Sequence, residues 1–243
     1  VLTGTVAAIN TFIGSNNVTY TTAADSTISQ TLTVTIDDGG NTGAGGAKSD
    51  TDTVTLNVTA VNDAPVLTVP GTSSAAAALA EDGDRDVTTA VTGISVADVD
   101  AGGGNITVTL SVPGGTLAAT SGSGVTVGGT ATTLTLTGTL ANINAFIAAS
   151  NVTYTTALNN DSDVNLTVTV NDKGNTGIGG AKTDTAVITL DLQPVNDAPV
   201  ATAPVAITVT EDVASNITGI SFSDVDAGSG TVTVTLSVPA GIL

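Results

Sequence analysis

Two aspartates flanking a single valine, Asp98-Val-Asp100, recur as Asp224-Val-Asp226, and both triplets run on into Ala-Gly. The other acidic residues fall at matched places too. Glu81-Asp82 has a counterpart in Glu211-Asp212, Asp38-Gly-Gly-Asn in Asp172-Lys-Gly-Asn, and Asn62-Asp63 in Asn196-Asp197. Carboxylates and amide carbonyls are hard oxygen donors, the kind that calcium gathers in sets of about six to eight. An Asp-x-Asp at a turn or strand end can aim two carboxylates at one ion. Without a cation such a pair repels itself, and at least one member must titrate above its ordinary range. A bland alternative competes at every position, because aspartate in a turn commonly just binds its own backbone. That reading is adopted for Asp25, Asp161 and Asp163. For Asp38 and Asp172 the two readings stand level. For Asp98, Asp100, Asp224, Asp226, Glu81 and Glu211, matched recurrence favours the cation, and Glu81 and Glu211 are the chain's only glutamates.

The remaining composition removes most other chemistry. The 243 residues contain no cysteine, histidine, methionine or tryptophan. Disulfides, thiolate or imidazole zinc sites and every Ser–His or Cys–His nucleophile are therefore excluded. The basic residues are Lys48, Arg85, Lys173 and Lys182, against a net charge of −18, so a nucleic-acid surface is not expected. No apolar run approaches the roughly 20 residues of a membrane-spanning helix, and membrane insertion is not expected. A paired-carboxylate glycosidase lacks any aromatic platform for a sugar; the chain is read as a structural module, not an enzyme. Asn-x-Thr triplets such as Asn17-Val-Thr are read as chance in a threonine-rich chain. The sequence opens on valine and carries no signal-peptide pattern, so it is read as an internal stretch of a longer protein or a processed product.

The acidic residues are positioned by a long internal repeat. LTGTVAAINTFIGSNNVTYTT at 2–22 returns as LTGTLANINAFIAASNVTYTT at 136–156, an offset of 134 that also relates Asn62 to Asn196. Downstream the offset shrinks to 130 between Glu81 and Glu211 and to 126 between Asp98 and Asp224. The prolines of the two VNDAP segments, 61–65 and 195–199, break strand pairing and mark boundaries. Residues 1–62 are thus read as the C-terminal half of one repeat, 63–196 as a complete repeat, and 197–243 as the N-terminal half of the next.

Within a repeat, apolar residues alternate with threonine and serine. NITVTLSV (105–112), NLTVTV (165–170) and VITLDL (187–192) each put Val, Ile and Leu on one face, the pattern of a half-buried strand. Further strands are expected near 86–97, 124–127, 132–137 and 152–155. The exception is TLANINAFIAAS, where Leu140, Ile143, Phe146 and Ile147 follow helical spacing and predict one short helix crossing between sheets. Tyr20 and Tyr154 are expected as core or corner tyrosines. About seven strands in a repeat predict an all-β fold of antiparallel sandwiches.

Taken in order, Glu81, Asp98-Val-Asp100, Asp172 and Asn196-Asp197 resemble the calcium pattern of cadherin-like tandem repeats in large bacterial surface adhesins, and the resemblance covers the whole chain. It implies tandem cadherin/Ig-like Greek-key β-sandwiches with one crossover helix per repeat and Ca2+ held between successive domains. Carried over residue by residue, it implies one site from Asn62, Asp63, Asp98, Asp100 and Asp172. A second would combine Glu81, Asn196, Asp197, Asp224 and Asp226. The linker has one Asn fewer than the cadherin pattern and no Asp-Arg-Glu triplet is present, so one or two ions per junction are expected in place of three.

The resemblance implies calcium-stiffened extender repeats on a cell surface or outside the cell, serving attachment, with neighbouring identical repeats as partners. The alternative is a subunit of a self-assembling extracellular filament or surface layer, a head-to-tail homopolymer. In it residues 197–243 of one copy and 1–62 of the next complete a composite domain. Asp38 would then sit beside Asp224 and Asp226, and Glu211 beside Asn62 and Asp63. A third class is an accessory module attached to an enzyme or ligand-binding domain.

Overall fold

A computed structural model describes residues 1–70, 79–80, 88–160, 162–193 and 196–243. Glu81, Asp82 and Asp161 lie outside the described residues. In chain order the first elements are α1 (Val6–Gly14), β1 (Gln30–Asp37), β2 (Ser49–Leu56), β3 (Val66–Thr68), β4 (Leu79–Ala80), β5 (Thr88–Ala90) and β6 (Ser95–Ala97). There follow β7 (Asn105–Ser111), β8 (Thr116–Ala119), β9 (Thr126–Thr130), β10 (Thr133–Thr139), α2 (Leu140–Ala148), β11 (Val152–Thr155) and β12 (Val164–Asn171). The last are β13 (Thr183–Leu190), β14 (Leu192–Gln193), β15 (Val200–Thr202) and β16 (Ser221–Ser223). The chain is rich in β-sheet with few, short helices.

The best-covered sheet has five antiparallel strands in the order β13-β12-β7-β10-β9. Its register puts Leu110 opposite both Leu134 and Val168, and Val108 opposite both Leu136 and Val170. Apolar side chains therefore line up in rows across three strands on one face, and all six are buried. The other face carries hydroxyls: Thr169 bonds Thr185 at 3.0 Å and Thr107 bonds Thr137 at 3.4 Å. A second antiparallel sheet, β5-β11-β8, adds Leu117, Val152 and Tyr154 to the same buried cluster. Each buried aliphatic side chain stabilises the fold by roughly 1.5–3 kcal/mol, so the rows hold these strands in register.

Helix α2 runs from the end of β10 in the first sheet to β11 in the second. Thr139 caps it, its hydroxyl accepting from the Asn142 amide at 3.3 Å, which satisfies one of the orphan donors of the first turn. Ile143, Phe146 and Ile147 face the core. The helix stops where Ser150 takes a φ of 61° and the Asn151 side chain donates to the Phe146 carbonyl at 3.1 Å.

Elements recur at the offsets of the sequence. Helix α1 and β1–β2 match α2 and β12–β13 at 134, and β2 pairs β1 in the register that β13 uses on β12. The burial does not recur. Phe146 is 2% exposed and its counterpart Phe12 is 44% exposed; no residue of α1 is buried. Tyr154 is buried with its hydroxyl donating to the Gly114 carbonyl at 3.2 Å, whereas Tyr20, expected as a core or corner tyrosine, is exposed. Among the described residues no helix is long and apolar enough to cross a membrane.

Candidate functional site

The site begins where the chain between β2 and β3 is pinned. The Asn62 amide donates to the Ile178 carbonyl at 2.8 Å, and the Ile178 amide donates to the Ala60 carbonyl at 2.9 Å. Gly177 makes this approach feasible. With φ at +93°, a Cβ there would lie 2.6 Å from the Asn62 nitrogen, so a side chain is barred by contact as well as by backbone conformation.

The Asn62 side chain is buried and its orientation is fixed by its surroundings. Nδ2 faces the Asp172 carboxylate at 2.6 Å, the Gly180 carbonyl at 3.0 Å and the Asp63 carbonyl at 3.2 Å. Three acceptors around one end demand the donor nitrogen there. Oδ1 therefore points the other way, where it is buried without a hydrogen-bond partner.

Asp172 follows β12 directly, in the turn to β13. Its Oδ1 accepts from the Gly174 amide at 2.8 Å and the Lys182 amide at 2.7 Å, and Oδ2 from Asn62. Burial alone would raise its pKa; the Lys182 amide, Asn62 and the Gly174 amide outweigh burial and hold it below the ordinary value. Asp172 thus holds backbone amides as a turn aspartate does.

Asp98 and Asp100 follow β6 directly, as the strand-end reading expected. The Asp63 amide donates to Asp100 Oδ2 at 2.7 Å, and the Asp100 amide to Asp98 Oδ1 at 3.1 Å. The Thr176 hydroxyl donates to the Asp100 carbonyl. Burial first, then the neighbouring Asp100 and Asp172 carboxylates, raise the pKa of Asp98. Asp98 Oδ2 and Asp100 Oδ1 are each buried without a hydrogen-bond partner. All five residues of the first expected site are accordingly joined by hydrogen bonds or by carboxylate repulsion. An open cleft lined by Asp63, Asp100, Gly102, Thr176 and the 56–61 segment lies alongside, with a volume of about 890 Å³.

The second expected set is assembled in part. The Asp197 amide donates to Asp226, the Asp226 amide to Asp224 Oδ1 at 3.0 Å, and Asn196 Nδ2 to the Asp197 carbonyl at 2.8 Å. Asn196, unlike Asn62, is exposed, and among the described residues no Asp172-like carboxylate receives its amide. Asp38 binds the Gly40 and Lys48 amides, each at 2.8 Å, and among the described residues no hydrogen bond joins it to either group; the Lys48 and Gly40 amides lower its pKa. Glu211 is exposed, and among the described residues no hydrogen bond joins it to either group. Asp163 serves as a backbone acceptor, taking the Leu192 amide at 3.1 Å.

Among the described residues, no three acidic side chains are gathered as a group that could hold a metal ion by themselves. Three oxygens of the first expected set, Asn62 Oδ1, Asp98 Oδ2 and Asp100 Oδ1, are buried without a hydrogen-bond partner. Ile178 and Gly177, which hold Asn62 in place, carry no chemical signal in the sequence. Only the steric demand at a glycine within GNTGIGG could have pointed to them. No family model matches this chain, and neither does any curated protein or solved structure.

Proposed function

We propose that this chain is a calcium-stiffened structural extender of an extracellular adhesin, built from tandem cadherin-like β-sandwiches. The observation that carries the reading is the set of three buried oxygens without donors: Asn62 Oδ1, Asp98 Oδ2 and Asp100 Oδ1. Burying such atoms unpaired costs about 1–3 kcal/mol each, more when charged. A calcium ion would satisfy all three and cancel the Asp98–Asp100 repulsion, with water completing its shell. The junction at Asn62 would then be locked between its two flanking segments. Extracellular modules bind calcium at about 10⁻⁴–10⁻³ M, which suits an outside location.

Calorimetric titration with CaCl2, paired with melting curves in calcium and in chelator, tests this. Saturable binding and a Tm that rises with calcium are expected, since a ligand specific to the folded state stabilises it by RT ln(1 + [L]/Kd). Identical melts in both conditions sink the reading.

A second reading, a self-assembling extracellular filament, is favoured by a different observation. The apolar faces of β1 and of residues 232–238 are exposed although their sequence counterparts form the core.

A further inference from the structure

We propose that the open edge of β1 takes residues 231–238 of a second copy of this chain as its missing neighbour, with Val34 opposite Leu236. The proposal rests on the self-assembly reading and gives it a partner and a register.

The chain contains its own template for the contact. Strand β12 is flanked on both sides, by β13 and by β7. Among the described residues strand β1 has the equivalent partner on one side only, β2. Its free edge is where β7 would lie. The counterpart of NITVTLSV at 105–112 is TVTVTLSV at 231–238, which has no strand partner among the described residues. Val34 is 52% exposed and Leu236 55% exposed, while Val168 and Leu110, which occupy these positions in the template, are both at 0%. An unpaired strand edge and a segment outside any strand, each with an unburied apolar face, are both unfavourable alone, and their sequences match those of the paired β12 and β7. Transferring the pairs Val168–Leu110, Thr169–Thr109 and Val170–Val108 gives Val34–Leu236, Thr35–Thr235 and Ile36–Val234.

Two further contacts are completed by the same transfer. Tyr20 would reach the Ala240–Gly241 turn as Tyr154 reaches Gly114. The exposed Asn196 would donate to Asp38 as Asn62 donates to Asp172.

A second copy is favoured over the same chain by where the connections leave the sheet. Asn171 pairs Thr183 at one end of β12–β13, and Val164 pairs Leu190 at the other. The segment bearing β1–β2 is tethered at the first end, through Asn62 on Asp172. The chain toward 231–238 departs from the second end, after Leu190. Seven residue steps separate these ends, about 23 Å at the rise of a strand. A copy placed in line needs no reversal to bring the two edges together. Net charge of −18 per chain opposes association, so it strengthens with salt or calcium.

The chain has no cysteine, so an introduced pair reports the contact without background. The full chain carrying Thr35→Cys and Thr235→Cys, on the hydroxyl face, is oxidised with and without calcium and run on a non-reducing denaturing gel. Light scattering on the unsubstituted chain runs alongside. A ladder of disulfide-linked multimers is expected. It should be lost in the Thr35→Cys, Thr231→Cys chain, whose second cysteine is displaced four residues, about 13 Å along a strand, beyond disulfide reach. A disulfide closed within one chain overturns the proposal, as does a monomer at every concentration. Multimers in light scattering without the register-specific link overturn the register and leave self-assembly standing.

Discussion

Asn62 donates its side-chain amide to the buried carboxylate of Asp172 at 2.6 Å, across 110 positions of sequence. The bond joins a segment between strands to the end of a core strand, and it fixes which way the amide oxygen points. Asn62→Ala should therefore destabilise the fold by about 1–3 kcal/mol in urea unfolding monitored by circular dichroism. Asn62→Asp keeps an oxygen but removes the donor and adds a charge. It should be more destabilising than alanine in chelator and recover in calcium. No recovery would separate Asn62 from the ion.

Asp98 and Asp100 should separate binding from folding. Asp98→Asn or Asp100→Asn is expected to weaken calcium or remove one equivalent in calorimetry while the sheets still form. In chelator Asp98→Asn should melt no lower than the parent, because burial and neighbouring carboxylates already penalise its charge. Unchanged stoichiometry and affinity in both variants would remove them from the site.

Two of the shifted carboxylates, Asp172 and Asp98, predict opposite pH slopes in chelator, and Asp38, also lowered, adds to the slope of Asp172. Asp172 has a folded pKa below its ordinary value, so its contribution is complete above that ordinary value. It is lost as pH falls toward the lowered one. Asp98 has a folded pKa above its ordinary value, so stability falls as pH rises from the ordinary value through the raised one. Together they place a maximum near the ordinary carboxylate range, about pH 4. Asp172→Asn should make the acid side shallower, with the Asp38 part remaining, and Asp98→Asn should flatten the other, as read from Tm against pH.

Equivalent positions should respond unequally to one substitution. Phe146→Ala empties a core site and should cost about 3–5 kcal/mol. Phe12→Ala, at the matched but exposed position, should change the melt of the dilute chain far less. Tyr154→Phe should cost about 1 kcal/mol through the lost bond to Gly114, with Tyr20→Phe near neutral. Equal losses within either pair would contradict the observed burial.

Much of this was legible as alternation. NITVTLSV announced β7 because every second residue is apolar and the rest are threonine, serine or asparagine, and Leu140, Ile143, Phe146 and Ile147 announced α2 by their spacing. Strand β8, TLAA, escaped because only Leu117 is an apolar β-former within it; pairing with β11 makes it a strand. Strand β13 begins at Thr183, four residues before the expected run, because Asp184 and Ala186 interrupt the alternation while β12 supplies the hydrogen bonds. Asp98 and Asp100 stood out by their own spacing. The Asn62–Asp172 bond did not, since nothing local to either residue says that the other is near. The exposure of Phe12 and Tyr20 escaped for the same reason: a repeat specifies the same residues twice, but not what packs over them.

The pinning of the segment before β3 has a mechanical consequence. Tension entering through Val58 and Thr59 meets the Ala60–Ile178, Asn62–Ile178, Asn62–Asp172 and Asp63–Asp100 bonds within four consecutive residues. Bonds so closely spaced take up a pull nearly together, whereas a hairpin drawn open from its end yields one rung at a time. The clasp around Asn62 should therefore resist pulling more than its few hydrogen bonds would suggest at equilibrium. A single cut, at Asn62 or through a side chain forced onto Gly177, would turn a shared load into a sequential one.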